Sequence, residues 1–338
     1  MKVRLGELTK IRTGKLDANA SSANGQYPFF TCSREPLKIS SYSYDCECVL
    51  VAGNGDLNVK YYKGKFDAYQ RTYIIEDNGT GKLYIPYLFY FLDNYIEELR
   101  KLSIGGVIKY IKLGNLTEAL IELPNIEEQK KIVYSLSKAK GIINKRQKQF
   151  QILDDLIKAR FVEMFKSCER TRLSDIANIV MGQSPESASY NDRRLGMPFF
   201  QGKADFCEKF PIVTHWTTEP NKVVEKGTIL MSVRAPVGPV NISNVKCCLG
   251  RGLCGINAKS GITNNEFLYN ALKIMEKQIA ELGSGSTFKA ITKKDIYELI
   301  IPIASIATQN KFSDFSTQID KSKFSYAINF LCEVLTLF

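Results

Sequence analysis

The chain has 338 residues, of which 44% are hydrophobic and 24% are charged, a composition typical of folded proteins that excludes global disorder. At about 100–200 residues per domain, this length predicts about two domains. Lysine and arginine number 46 against 35 aspartates and glutamates, so the formal net charge is +11. This excess favours a polyanionic partner, and a basic protein without such a partner is the alternative.

The cysteine and histidine content argues against disulfide, metal and histidine-based catalytic sites. The nine cysteines include no Cys-x-x-Cys pair, so their spacing supports neither a disulfide framework nor a structural zinc site. The single histidine, His215, is too little for histidine-based metal sites or a Ser-His-Asp triad. No apolar run approaches the ~20 residues of a membrane helix, and no signal-like leader is present. We therefore expect reduced thiols, no metal, no membrane contact and a cytoplasmic location.

The chain also contains an internal repeat. Matching segments recur in the same order at an offset that grows from 168 to 180 residues. They include Gly14 with Gly182, Tyr27-Pro-Phe-Phe30 with Met197-Pro-Phe-Phe200, Gln70-Arg71 with Gly250-Arg251, Lys109 with Lys289, and Gln129 with Gln309. Any one match is weak, but their shared order indicates a duplicated unit of about 170 residues.

Each copy follows the same predicted plan. Short strands with loops come first, then a helix near residues 85–102 or 264–282, then a glycine turn and a short strand. A long helix closes the copy. We therefore predict a mixed α/β (α+β) protein with two tandem globular domains, residues 1–125 and 167–305. Long helices are predicted over residues 126–166 and 306–338.

The first long helix carries the clearest periodic pattern. Between Ile126 and Phe165 there is no proline, and apolar residues recur at spacings of three and four, as in a coiled coil. The predicted seam is Ile132, Leu136, Ala139, Ile143, Phe150, Leu153, Ile157 and Met164. A long amphipathic helix must cover such a stripe, so we expect the two helices to pair antiparallel as a coiled-coil spacer with pseudo-twofold symmetry. The alternative is that each helix packs on its own globular unit.

Loop-like segments rich in arginine, lysine, asparagine and glutamine are the candidates for nucleic-acid contact. Arginine and amide side chains suit base edges, whereas lysine mainly meets phosphate. A solvated loop surface is the alternative for any single residue. The candidates are Asn54, Asn58, Lys60, Lys63, Gln70, Arg71 and Lys109 in the first copy, and Gln183, Ser184, Arg193, Arg194, Gln201, Lys203, Arg234, Arg251, Ser286, Thr287 and Lys289 in the second.

The motifs of common DNA-acting enzymes are missing from the sequence. Gly79-Thr-Gly-Lys82 lacks the glycine spacing and the following Ser or Thr of a phosphate loop. The amino-methyltransferase run of Asn or Asp, two prolines and an aromatic is absent, as is a convincing nuclease pattern. The sequence therefore favours a binder without catalytic residues. A self-contained DNA-modifying enzyme and a basic coiled-coil scaffold for an acidic protein are the alternatives.

Several motifs together resemble the specificity subunits of type I restriction-modification systems, over nearly the whole chain. They are Gly182-Gln-Ser-Pro185, Pro198-Phe-Phe-Gln-Gly202, Ile229-Leu-Met-Ser-Val-Arg-Ala-Pro-Val-Gly238, Gly285-Ser-Thr-Phe-Lys289 and Pro124-Asn-Ile-Glu-Glu-Gln-Lys-Lys131. The chain departs from the family at two places. Gly106-Val-Ile-Lys109 replaces Gly-Ser-Thr-x-Lys in the first copy, and Thr308-Gln309 replaces Glu-Gln at the start of the second long helix.

This resemblance implies a division of labour. The globular units would be target-recognition domains, each reading one half of a bipartite site on double-stranded DNA, and the helices would set the spacer. The resemblance implies no cofactor in this chain. Two modification subunits would bind S-adenosylmethionine and methylate adenine N6, and restriction subunits would use ATP and Mg for translocation and cleavage.

Overall fold

The structure is a computed structural model that describes residues 1–283 and 290–335, with side chains as far as residue 326. Ser286, Thr287 and Lys289 lie outside the described residues. The described residues divide into two compact units: residues 1–144 with residues 332–335, and residues 145–331. Each unit combines strands with helices, which confirms the predicted mixed class with two tandem units. None of the helices in the described ranges is long and apolar enough to cross a membrane.

The first unit is built on a six-stranded sheet. The strands of the unit are β1 (Lys2–Arg4), β2 (Thr9–Thr13), β3 (Tyr27–Phe30), β4 (Leu37–Ile39), β5 (Tyr44–Ala52), β6 (Val59–Ala68), β7 (Thr72–Asp77) and β8 (Leu120–Glu122). Its helices are α1 (Leu5–Leu8), α2 (Ile85–Leu102), α3 (Leu113–Thr117) and the first part of α4 (Ile126–Phe165). The sheet order is β2-β7-β5-β6-β3-β4, and β1 pairs separately with β8.

Strand β5 lies at the centre of this sheet and is buried on both faces. Successive side chains of a strand point to opposite faces, so Val49 and Val51 pack towards α2 while Cys48 and Leu50 pack on the other side. Because neither face of the second half of β5 meets water, the sequence from Cys48 to Ala52 is a continuous apolar run.

The second unit holds three smaller sheets. Its strands are β9 (Glu169–Arg172), β10 (Ala177–Met181), β11 (Tyr190–Asn191), β12 (Met197–Phe200), β13 (Trp216–Thr217), β14 (Val223–Val224), β15 (Ile229–Ser232), β16 (Val240–Ile242), β17 (Cys247–Leu249), β18 (Leu253–Ala258) and β19 (Ile300–Ile303). Its helices, after the end of α4, are α5 (Leu173–Ile176), α6 (Asn265–Ile274), α7 (Glu276–Glu281), α8 (Lys293–Tyr297) and α9 (Ile306–Leu335). The sheet orders are β10-β18-β15-β16, β11-β13-β12-β17-β14 and β19-β9.

Within the second unit, the end of α4 runs antiparallel to the start of α9. Lys323 Nζ lies 2.6 Å from Asp154 Oδ1, and the ring centroids of Phe312 and Phe161 are 5.4 Å apart. Residue numbers rise along α4 while those of the partners fall along α9, so the two helices point in opposite directions. This is the pairing expected from the sequence, here observed between α4 from Asp154 onwards and α9 as far as Lys323.

The same helices also pack on the globular core, as the alternative interpretation proposed. Ile157, Phe161 and Phe165 of α4 join Phe267 of α6 and Phe312 of α9 in one buried cluster. The predicted seam missed Phe161 and Phe165 because it followed coiled-coil spacing, whereas packing on a globular core uses positions four apart.

The first half of α4 also departs from the predicted seam. Ile132 and Ile143 were placed in that seam, yet they are 38% and 40% exposed. The described residues of the first unit therefore leave part of the apolar stripe of α4 open to solvent.

The duplication reappears in the backbone hydrogen bonds. Leu5 N donates to Ala119 O and Leu173 N donates to Leu299 O, both at 2.8 Å. Gly14 and Gly182 also share an environment, because a Cβ would lie 2.1 Å from Ala68 O at the first and 2.2 Å from Gly250 O at the second. Both positions therefore require glycine, and the matched sequence positions are matched in space.

One predicted match is shifted by a residue. Thr72 N donates to Tyr69 O at 2.8 Å, and Leu253 N donates to Gly250 O at 3.0 Å. By these bonds Arg71 corresponds to Gly252, not to Arg251 as the sequence alignment has it. One additional residue in the second copy shifts the alignment of the two copies at this turn, while the apolar residues on either side still match.

The predicted helix near residues 264–282 is two helices, α6 and α7, that meet at Met275. Gly238 lies against this junction, where a Cβ would be 2.7 Å from Glu276 O. Its φ of +107° favours glycine for the same close approach. The loop before β16 therefore occupies space beside the helix at the point where it breaks.

Candidate nucleic-acid interface

Five of the predicted residues of the second unit line one cleft of about 260 Å³. Gly202, Ser232, Ala235 and Gly252 complete its wall. The five predicted residues are Ser184, Gln201, Lys203, Arg234 and Arg251. They come from segments spread over almost seventy residues of sequence, so the fold rather than the chain order brings them together.

Strand ends position these side chains. Ser184 follows β10, Gln201 follows β12, and Arg251 lies between β17 and β18. The backbone N–H of Arg251 donates to Ser184 Oγ at 3.2 Å, and Gln183 N donates to Leu249 O at 2.9 Å. These bonds hold the loop after β10 against the turn that carries Arg251, and the Gln183 side chain is exposed beside them.

The cleft carries unneutralised positive charge. Lys203, Arg234 and Arg251 are exposed, and none of them forms an ion pair with any described residue. Grouped cations without local counter-charge raise the positive potential of a concave surface, which attracts an anionic ligand. Gln201 adds an amide that can both donate and accept hydrogen bonds.

The chain beyond the undescribed segment returns to this cleft. Ala290 forms a β-bridge with Arg234, and Ile291 N donates to Val233 O at 3.0 Å. Thr292 then caps α8, because Asp295 N donates to Thr292 Oγ1 at 3.3 Å. Hydrogen bonds from the backbone and hydroxyl of Thr292 hold the pKa of Asp295 below its usual value.

Arg193 and Arg194 lie elsewhere, in the loop between β11 and β12. Asn191 Oδ1 accepts hydrogen bonds from the backbone N–H groups of Arg193 and Leu195, at 3.2 and 3.0 Å. The Arg194 guanidinium lies 5.9 Å from the Trp216 ring centroid, from a backbone with φ of +61°. These arginines are not among the residues that line the cleft.

In the first unit, backbone bonds bring Asn54, Arg71 and Lys109 together. Gly53 N donates to Arg71 O at 2.8 Å, and Gly55 N donates to Lys109 O at 2.9 Å. Arg71 and Lys109 are exposed and Asn54 is half-buried. Gln70, beside Arg71, is also exposed. These side chains are available to a ligand.

Asn58 and Lys60 point inward instead. The Asn58 amide donates to Cys32 O and Asp56 O, each at 2.8 Å, and its oxygen accepts from Lys60 Nζ. Asn58 is 8% exposed, and burial lowers the pKa of Lys60. Both side chains are used within the protein, where they hold two loops to each other.

Lys63 lies along the sheet, away from the loop that joins β5 to β6. Its ammonium group pairs with Glu47 at 3.0 Å, and Tyr61 donates to the same carboxylate at 2.7 Å. Burial alone would raise the pKa of Glu47, but the hydrogen bonds from Tyr61 and Lys63 outweigh burial and lower it.

Sequence reasoning missed two arginines beside the loop that carries Asn54. Arg34 Nε and an Arg100 terminal nitrogen lie 3.1 and 3.2 Å from the Asp56 carboxylate, and both arginines line a cavity of about 430 Å³. Arg34 could have been found, because a basic residue follows the repeated segment in both copies. Arg34 comes shortly after Tyr27-Pro-Phe-Phe30, and Lys203 comes shortly after Met197-Pro-Phe-Phe200. Arg100 gives no such signal, because it sits near the end of α2.

Residues suited to a metal ion do not cluster. Over residues 1–283 and 290–326, no group of three His, Cys, Asp or Glu side chains is placed to hold a metal ion. The chemistry that the described geometry offers is recognition, through exposed guanidinium, ammonium and amide groups.

Comparisons with known proteins identify the family of this chain. Residues 1–153 and 166–327 match the family described as type I restriction modification DNA specificity domain. The chain is 33% identical, over 290 residues, to the type I restriction enzyme MjaX specificity subunit of Methanocaldococcus jannaschii, an alignment that covers 78% of this chain and 68% of that protein. The two-unit fold and this family match define the class as a protein with two type I restriction-modification DNA specificity domains.

Solved structures support the same fold. The S subunit of a type I restriction-modification system from M. genitalium superposes with a TM-score of 0.65 at 20% identity, covering 100% of this chain and 94% of that one. A structure from work on complex assembly and conformational transition of the type I R-M system gives a TM-score of 0.56 at 25% identity, with the same coverage. The chain belongs to the family of type I restriction-modification specificity subunits.

Proposed function

We propose that each unit reads one half of a bipartite sequence on double-stranded DNA. The observation that carries this proposal is the cleft of the second unit, where Lys203, Arg234 and Arg251 stand without acidic partners among the described residues, beside Gln201. Guanidinium groups pair with guanine edges and amides with adenine edges, while lysine binds phosphate. Asn54, Arg71 and Lys109 offer the same chemistry in the first unit.

Helix α4 sets the distance between the two half-sites in this proposal. It is continuous over 40 residues, from within the first unit into the second. At 1.5 Å per residue such a helix measures ~60 Å, so its length is fixed by its residue count. Half-sites about one DNA turn apart, ~34 Å, lie within that reach.

The chain itself would carry out no catalysis. Methylation of adenine N6 needs a flipped base and a methyl donor, which two modification subunits with S-adenosylmethionine would supply. Restriction subunits would add ATP-driven translocation and DNA cleavage, with Mg. The family match supports this division of labour, in which the chain supplies the sequence specificity of a cytoplasmic complex.

Methylome sequencing of a host that carries this chain with its modification partner tests the proposal. The expected result is adenine methylation at one bipartite sequence, absent from the host without the chain. Exchanging residues 1–123 for those of a relative should change one half-site only. Methylation without the chain, or a change in both halves after the exchange, would contradict it. Methyl transfer by the purified chain alone would support the self-contained enzyme instead.

A further inference from the structure

Two lysines of the second unit sit in a network of acidic residues from three helices. Lys209 Nζ lies 2.9 Å from Glu266 Oε1 on α6 and 2.5 Å from Asp320 Oδ2 on α9. Lys323 Nζ on α9 lies 2.6 Å from Asp154 Oδ1 on α4 and 3.3 Å from Glu208 Oε1. The consecutive residues Glu208 and Lys209 are thereby fixed to α6 and α9, and through Lys323 they are linked to α4.

The two lysines of this network are largely shielded from water. The side chains of Lys323 and Lys209 are only 8% and 21% exposed. Burial alone would lower the pKa of Lys209, but hydrogen bonds to Asp320 and Glu266 outweigh burial and raise it. Removing one partner of an ion pair with little solvent exposure destabilises the local structure, because the other charge is left buried without a counter-charge.

The chain segment that ends at Lys209 begins in the cationic cleft. Gln201 and Lys203 line that cleft, and Asp205 Oδ2 accepts hydrogen bonds from the N–H groups of Gln201 and Gly202, at 2.7 and 3.3 Å. We call residues 201–209 the anchored segment. One of its ends carries candidate DNA contacts, and the other is held by the ion-pair network.

The anchored segment belongs to the second copy. The repeat offset is 170 residues at Phe200 and 180 at Arg234, so the second copy has about ten additional residues in this stretch. At an offset of 180, Asp320 and Lys273 correspond to Lys140 and Asp93 in the first unit, and those two pair with each other at 3.7 Å. The first unit thus keeps a helix-to-helix ion pair at the place where the second uses a lysine from a loop.

We propose that Lys209 is a positioning residue for recognition of the second half-site: by fixing the end of the anchored segment, it holds Gln201 and Lys203 in place at the cleft. The proposal rests on the proposed DNA-reading function. Lys209 itself is partly buried among acidic groups and touches no DNA. Its effect is confined to the half-site read by the second unit, because every partner of the anchored segment named here lies within residues 145–331.

The test uses the complex of the full chain with its modification partner. Methylation rates are measured on three duplexes: the sequence found by methylome sequencing, and versions with one base pair changed in the first or in the second half-site. For Lys209→Met, we expect about a tenfold loss of discrimination against the second-half change, because the end of the anchored segment is then no longer held by Glu266 and Asp320. Discrimination at the first half should stay the same, and Lys209→Arg should restore the wild-type ratio.

Two further variants keep the result interpretable. Asp320→Asn retains the Lys209–Glu266 pair and should give a smaller loss of discrimination at the same half-site. This variant tests the positioning role of Lys209 even if Lys209→Met does not fold. Lys246→Met removes a lysine from an exposed pair with Glu225, 2.6 Å long, outside the network, and should change neither ratio. Unchanged discrimination in Lys209→Met and Asp320→Asn, or equal losses at both halves, would overturn the proposal. A wild-type complex with no bipartite site would instead overturn the proposed function.

Discussion

Gln129 and Gln309 donate equivalent hydrogen bonds from positions 180 residues apart. Each is fully buried one turn into a long helix, and each side-chain amide donates to two carbonyls: Lys82 O and Pro124 O for Gln129, Ile262 O and Ala304 O for Gln309. The glutamine therefore ties the helix start to the connection that follows β8 or β19 and to the loop before α2 or α6.

Replacing Gln309 with alanine should destabilise the second unit. The substitution leaves two carbonyls, and the Thr263 hydroxyl that donates to Gln309 Oε1 at 2.7 Å, without their partner. Each buried group left unpaired costs about 1–3 kcal/mol. The measurement is the free energy of unfolding in urea. Gln278→Ala, at an exposed position of α7, is the control and should change it by less than ~0.5 kcal/mol.

Asn54 and Asn58 should behave differently although the sequence makes them alike. Asn58→Ala removes three internal hydrogen bonds and should lower the free energy of unfolding by about 1–3 kcal/mol. Asn54→Ala should leave it unchanged, since its side chain makes no hydrogen bond to any described residue, while weakening methylation at the first half-site. Equal stability losses in both variants would contradict this assignment, and calorimetry of the two purified proteins decides it.

The cleft cations should dominate the salt dependence of DNA binding at the second half-site. Arg251→Ala removes an exposed charge that forms no ion pair with any residue the structure describes, so binding by the assembled complex should weaken. Loss of one phosphate contact makes the negative slope of log K against log salt shallower by about 0.9. Loss of a base contact reduces the discrimination against a wrong base at one position by about 1–3 kcal/mol. Lys246→Ala is the matched control outside the cleft. Identical salt curves for Arg251→Ala and the wild type would show that the cleft does not meet DNA.

The buried thiols should resist alkylation. Burial raises the pKa of Cys254 to about 12 and that of Cys247 to about 11, so almost no thiolate is present near neutral pH. Cys207 is exposed and should react with iodoacetamide first. Peptide mass spectrometry after a short exposure at pH 8 measures the order. Modification of Cys254 in the folded protein as fast as Cys207 would contradict the packing described for β18.

Local signals predict much of this fold. The long helix begins at Ile126 because Asn125 caps it, its Oδ1 accepting from Glu128 N at 2.9 Å, within a motif visible in the sequence. In the second copy Thr308 replaces the glutamate, and Ser305 supplies the cap through its hydroxyl, 3.3 Å from Thr308 N. The helix therefore keeps a cap at this end despite the departure from the family motif.

The candidate site is harder to read from sequence, because residue type does not reveal direction. Asn58 has the side chain of a base reader but turns inward, since its amide finds carbonyls on two neighbouring loops. Lys209 has no distinguishing local context, because its partners lie 57 and 111 residues away in the chain. Contacts between such distant positions are decided by tertiary packing, which no local pattern contains.

Changing the length of α4 tests the central claim most directly. Inserting four helix-forming residues between Lys138 and Gln149 lengthens the helix by ~6 Å, about the rise of two base pairs. Methylome sequencing of a host carrying this variant with its modification partner should give the wild-type half-site sequences separated by a longer spacer. An unchanged spacer, or altered half-site bases, would contradict a helix that sets the distance between two independent readers.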